Sequence, residues 1–230
     1  MGALKFFDIV VRNNPDLLPS VIVINTTIQS LKYNGEGLLE KGIENLEYHV
    51  NNMKKYSDSI LVVLNKHEND LESDIAYIKR FVEEQNLLFS ISTGYLDGSS
   101  GSTDVAEKII ELSSKKQNSF FESYGLEENL QEKIEKFCKI NYGVKEILYT
   151  DNALEKIKLI EQSQCKKLPI CIAKTQYSIT DSAKVLGYPK DFTMTVKDIK
   201  LFSGAGFITV YFGSILTMPG LSKDANYLTM

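Results

Sequence analysis

Residues 60–64, ILVVL, form an unbroken apolar run that stops abruptly at Asn65-Lys66-His67. The run has the length of a strand rather than a helix. With no polar residue alternating through it, it has to be covered on both faces. Two similar runs flank it, VIVIN at 21–25 and LLFSIS at 87–92. Between the runs the spacing changes to that of amphipathic helices. Leu39, Ile43, Leu46, Val50 and Met53 recur within 38–56, and Ile75, Ile78 and Val82 within 70–85. A third helical pattern runs from Asp104 to Ser113. Strands and helices alternating with short joints predict an α/β fold with a Rossmann-like parallel sheet.

The second half changes character. Helical patterns at 126–141 and 151–163 precede PICIAK (169–174), FTMTVKDIKL (192–201) and GFITVYF (207–213), with Gly and Pro between them. This predicts a smaller α/β domain over 119–230 that follows a Rossmann-like part over 1–118. A chain of 230 residues has room for both. The net charge is −4, and the pairs Lys54-Lys55, Lys115-Lys116 and Lys166-Lys167 are scattered among acids. That distribution offers no clustered basic surface for nucleic acid. No apolar stretch approaches the ~20 residues that span a bilayer. The opening MGALKFFDIVV lacks a basic n-region and a cleavage site, so a cytoplasmic location is expected. Cys138, Cys165 and Cys171 have neither a disulfide framework nor zinc-ligand spacing, and no metal site is expected. Cys171, inside LPICIAK, reads as a small buried hydrophobe.

In parallel sheets, ligands gather at the carboxyl ends of the strands. Three segments belong there: TTIQSLKYNGEG, NKHEND and STGYLDGSSGST. They are expected as loops at one edge, offering the amide of Asn65, the amine of Lys66, the imidazole of His67, several hydroxyls and the phenol of Tyr95. A fourth polar run, Lys174-Thr175-Gln176-Tyr177-Ser178, directly follows the strand at 169–174 and would suit a heterocycle or a phosphate. Ordinary structural readings stand beside each of these. Asn65 caps a turn, His67 is a surface residue, GSSGST is a connection, and the fourth run is a turn rich in capping side chains. The chain contains no P-loop pattern, G-x-x-x-x-G-K-[ST], and no H-E-x-x-H. The residues alone assign no chemistry.

Longer stretches carry a resemblance. LPICIAKTQYSITD, followed by LGYPKDFTMTVKDIKLFSGAGFITVYFGSILTMPGL, is similar to the C-terminal part of the formate–tetrahydrofolate ligases. So are MGALKFFDI, TTIQSLKYNGE and EKGIENLEYHVNNMKKY, in the same order, and the resemblance covers essentially the whole chain. It implies part of a P-loop NTPase-type domain and an enzyme of one-carbon metabolism. That enzyme uses ATP and formate to make formyl phosphate and transfers the formyl group to N10 of tetrahydrofolate. It also implies folate contacts by Tyr95 and His67, where the family carries Trp and Phe. Asn65, Lys66, Lys174, Thr175 and Gln176 would form the nucleotide or substrate crevice. Gln29 stands where the family has Arg, Glu36 where it has Gly, and the loop after them is shortened at Gly37.

The family's P-loop, its formyl-phosphate-holding basic residues and its Mg²⁺ contacts lie N-terminal to the region matched here, so no catalytic residue is assigned. Two functions follow from this: a ligase fragment working with a separate N-terminal half, or a non-catalytic remnant serving as a folate- or nucleotide-binding or assembly protein. With three strands in the first sheet, at least one edge is unpaired, so a homo-oligomer or a complementing half is expected against it.

Overall fold

A computed structural model describes residues 2–114, 120–213 and 215. The pair Lys115-Lys116, the 118/119 division and the TMPGL segment at 217–221 lie outside the described residues. The chain opens with helix α1 (Gly2–Lys5), which continues as a π-helical turn over Phe6–Val11. The first sheet follows: β1 (Ile22–Thr26), α2 (Ile28–Asn34), α3 (Leu39–Met53), β2 (Ile60–Asn65), α4 (Glu72–Glu84), β3 (Leu88–Ser92), α5 (Gly94–Asp97) and α6 (Thr103–Ser113). Its three strands are parallel in the order β1-β2-β3. Central β2 is buried through Leu64, as its uninterrupted apolar sequence requires. Ile43, Leu46, Ile75 and Ile78 of α3 and α4 pack on Val62 and Leu64, while Leu112 of α6 packs on Leu61 and Val63.

The segment after β1 differs from the expected loop. Residues 28–34 are helical because Thr27 and Ser30 form a reciprocal capping box, and Ile28 and Leu31 face the core. Helices α2 and α3 approach so closely that a Cβ on Gly42 would lie 1.9 Å from the Leu31 carbonyl oxygen. Only glycine fits there. The GSSGS stretch is a 3-10 turn over Gly98–Ser102, held where the Thr93 N–H donates to the Gly101 carbonyl at 2.9 Å.

The remainder comprises α7 (Leu130–Tyr142), β4 (Glu146–Tyr149), α8 (Asp151–Glu161), β5 (Ile170–Ala173), β6 (Thr193–Phe202) and β7 (Phe207–Phe212). These strands form a mixed sheet in the order β4-β6-β7-β5, with only the β6–β7 pair antiparallel. Strand β4 was not among the sequence expectations. Its four residues, EILY, are only half-buried or exposed, so no apolar run marks it. Cys171 is buried in β5, as expected. One apolar cluster joins Leu4, Phe7, Val11, Tyr56 and Ile60 to Leu130, Ile134, Phe137, Ile208 and Phe212. The N-terminal helix therefore spends Leu4, Phe7 and Val11 on this core and leaves Phe6 and Val10 outside.

Asp8 is fully buried within the π-helical turn. Its Oδ1 accepts a bond from Arg12 Nη2 at 3.2 Å, and its Oδ2 has no partner. Arg12 also donates to Glu122 and to the Tyr124 carbonyl, and its guanidinium lies 4.6 Å from the Tyr124 ring centroid. Burial outweighs the Arg12 charge and pushes the Asp8 pKa up to about 6. A carboxyl that binds its proton more tightly when folded contributes stability below its unfolded pKa, near 4. That contribution is lost as pH rises through about 6. Asp8→Asn is uncharged throughout and should gain stability relative to the parent chain between about pH 4 and pH 7. Urea midpoints of both proteins across that window test this, and a difference that stays constant with pH would mean that Asp8 titrates normally.

Candidate functional site

The first sheet delivers four of the expected residues to its carboxyl edge. Asn65 ends β2 opposite Ser92 of β3. The Lys66 N–H donates to the Ser92 carbonyl at 2.9 Å and ties the following turn to β3. That turn is closed by His67 N–H to Asp70 Oδ2 at 2.8 Å and by Asp70 N–H to the His67 carbonyl at 3.1 Å. Lys66 Nζ reaches Glu72 Oε1 in the first turn of α4 at 2.6 Å, so its charge is already paired. Tyr95 lies on α5, three residues beyond β3, and is 88% exposed. The result is an open edge that carries an exposed aromatic face and, on the neighbouring strand's turn, a half-buried imidazole. Such a shelf can stack a planar heterocycle.

The other three expected residues lie elsewhere. Lys174, Thr175 and Gln176 line a cavity of about 650 Å³ between the two sheets. Asn65, Lys66, His67 and Tyr95 do not line it. Its other walls include α1, β1 from Ile22 to Asn25, the end of α2, Tyr142 of α7, and Asn45, Tyr48, His49 and Asn52 on α3. The α3 residues were missed, although positions 45, 49 and 52 share a helical face, a polar stripe legible beside the apolar one. Among the described residues, no Asp, Glu or Arg lines the cavity. The surrounding protein mass and the Lys174 charge move the His49 pKa down. Among the described residues, no group of three His, Cys, Asp or Glu side chains is placed to hold a metal ion.

Lys174 looks inward, toward its own loop. Its ammonium donates to the carbonyls of Thr175 (3.4 Å), Thr180 (3.3 Å) and Ser178, and it lies 5.1 Å from the Tyr142 ring centroid. Burial lowers its pKa to about 8. The side chain therefore clamps the loop that carries Thr175, Gln176 and Tyr177 along the cavity wall. Lys174→Met removes the donor shared by three carbonyls and should destabilise the protein by about 1–3 kcal/mol. Equilibrium denaturation reads the loss, and amide exchange of 175–180 should speed up with it. Unchanged stability and exchange would show that the clamp is dispensable.

Comparison with known proteins bears on both loci. The sequence model for "Formate--tetrahydrofolate ligase" matches residues 1–230. The formate–tetrahydrofolate ligase of Petrotoga mobilis is 40% identical over 241 residues, covering 100% of this chain and 43% of its own length. The ligase of Caldicellulosiruptor saccharolyticus is 40% identical over 97% of this chain and 42% of its own. That of Campylobacter concisus is 38% identical over the same two shares, 97% and 42%. The chain thus spans well under half the length of the curated relatives it matches. By a match that runs from its first residue to its last, the chain belongs to the formate–tetrahydrofolate ligase family.

Proposed function

We propose that this chain provides the folate-facing surface, and part of the nucleotide-facing surface, of an ATP-dependent formate–tetrahydrofolate ligase. The observation that carries the reading is the exposed Tyr95 ring, at the same carboxyl edge of a parallel sheet as His67, in a chain of this family. The ring stacks on the pterin, and His67 borders it. Asn65 and Lys66 complete that shelf. Lys174, Thr175 and Gln176 form the wall of a second crevice for nucleotide or another substrate. Residues 1–118 act as part of the ligase core and 119–230 as its C-terminal unit.

Phosphoryl transfer from ATP to formate needs positioned amides, a lysine and Mg²⁺ around the γ-phosphate. In this reading those groups come from the part of the ligase architecture outside the matched region, and the work is done in the cytoplasm. This chain's own residues bind and orient tetrahydrofolate so that N10 faces the formyl donor.

Two outcomes follow. ATP, formate, Mg²⁺ and tetrahydrofolate should yield no 10-formyltetrahydrofolate with this chain alone, and steady turnover by the pure chain would sink that half of the reading. In calorimetric titration with tetrahydrofolate, Tyr95→Ala should weaken binding about tenfold, the equivalent of some 1.4 kcal/mol of lost stacking. Tyr95→Trp should hold or improve it. Equal affinity for all three proteins would remove Tyr95 from the folate site.

A further inference from the structure

The two faces of the mixed sheet differ in composition. Ile170, Ile172, Ile199, Ile208, Val210 and Phe212 point into the apolar cluster to which α7 and α8 contribute. Alternation along each strand sends their neighbours to the opposite face. There Cys171 lies beside Thr209, Ala173 beside Tyr211, and Lys200 on the other side of Thr209. With Phe202, Phe207, Ile215 and Lys5 from the end of α1, these side chains line a groove of about 690 Å³. Among the described residues, no Asp, Glu or Arg lines it. The Phe202 and Phe207 rings are 5.6 Å apart between centroids and tilted by 33°. Cys171, Thr209 and Tyr211 are buried, whereas Phe202 is 42% exposed, so the groove is apolar at its base and open where β6 turns into β7. A concavity of this size, aromatic and with few polar groups, accepts the flat body of a small ligand.

Two ammonium groups border the groove, and both keep their charge uncompensated. Lys200 Nζ lies 5.4 Å from the Tyr211 ring centroid. Lys5 hydrogen-bonds the Cys171 thiol, a weak acceptor that carries no countercharge. Among the described residues neither lysine has a carboxylate partner. Lysines elsewhere are committed. Lys108 Nζ folds over the outer edge of β3, where it donates to the Phe89 carbonyl at 2.7 Å and pairs with Asp104 at 2.7 Å. Lys156 takes Asp198, the carboxylate of β6 nearest in sequence to Lys200. Charges of one sign on low-dielectric walls focus their field into a cleft, so an anion is the complementary occupant. A phosphate calls for a cradle of several donors, and only the Thr209 hydroxyl stands beside the two lysines here. A single carboxylate on a flat apolar body matches the groove better.

We propose that this groove on the mixed sheet binds a small aromatic carboxylate, its ring against Phe202, Phe207 and Tyr211 and its anionic head drawn by Lys5 and Lys200. The groove shares no lining residue with the cavity that Lys174 borders, and it lies on a different sheet from Tyr95. It is therefore a site additional to the folate and nucleotide surfaces and stands or falls independently of them.

The test compares 2-naphthoate with its uncharged counterpart, 2-naphthamide, each titrated into the full chain and followed by calorimetry and amide chemical shifts. Naphthoate should bind about tenfold more tightly than the amide, with shifts gathered at 171–173 and 200–211. Raising the salt from about 0.05 M to about 0.5 M should weaken naphthoate and leave naphthamide unchanged. Lys5→Met combined with Lys200→Met should remove the preference for the anion. The far-UV spectrum should stay as in the parent, because both side chains are exposed and hold no ion pair. Phe202→Ala, which removes part of the stacking floor, should weaken both ligands about fivefold. No binding, equal affinity of the parent chain for the two ligands, an undiminished preference in the double variant, or shifts gathered elsewhere would overturn the proposal. So would displacement of naphthoate by tetrahydrofolate, or the same shifts arising from self-association without any ligand. Nuclear Overhauser contacts from residues 216–230 onto Phe202 and Tyr211 in the free chain would overturn it too, by giving the groove an occupant from the chain itself.

Discussion

A buried hydrogen-bond network ties the two sheets together around Asn141, in the last turn of α7. Its backbone carbonyl accepts bonds from Tyr48 Oη and Asn52 Nδ2 of α3, each at 2.7 Å. Its side chain accepts from Tyr56 Oη at 3.2 Å and donates to Ser123 Oγ at 3.1 Å. All five residues are buried. A buried polar network with its partners in place permits one arrangement and penalises every other, because any slippage strands a desolvated donor or acceptor. Helix α3 packs on the first sheet and α7 belongs to the second half, so this cluster sets their separation. Two residues of the network, Tyr48 and Asn52, also line the cavity, and Tyr142, next to Asn141, joins them there.

Local periodicity carried most of the fold. The runs at 21–25, 60–64 and 87–92 became β1, β2 and β3 with boundaries moved by one residue, because a strand buried in a parallel sheet must be apolar along its length. Features that depend on distant partners were not legible in the same way. Strand β4 exists because β6, more than forty residues later, lies beside it. The N-terminal π-helical turn is fixed by Tyr56, whose ring stacks on Phe7 at 4.4 Å, and by the buried Asp8–Arg12 pair. Helix α2 was hidden by a different effect: polar residues at a strand's end suggest a loop, and only the Thr27–Ser30 spacing betrays the cap.

The candidate site divides along the same line. Asn65, His67 and Tyr95 share one edge because parallel topology leaves them no other place, and topology was readable. The polar run from Lys174 to Ser178 was readable as a wall but not as a self-clamped one. Nothing in its composition distinguishes a lysine that meets a ligand from one that gathers carbonyls up to six residues ahead. The polar stripe on α3 was legible, but its role as the opposing wall needed the fold, because Asn45 and Gln176 line one cavity only after both sheets have formed.

Lys108 has a consequence that reaches beyond its own edge. A sheet open on both sides is a template that copies itself: each added strand exposes a fresh edge, and growth ends in a fibril. With the carbonyl of Phe89 occupied, this sheet has a direction. A strand arriving there meets the Lys108 ammonium, which already donates to Phe89 at 2.7 Å, and a charge at that position opposes pairing in register. Growth across the sheet is thereby discouraged from the β3 side.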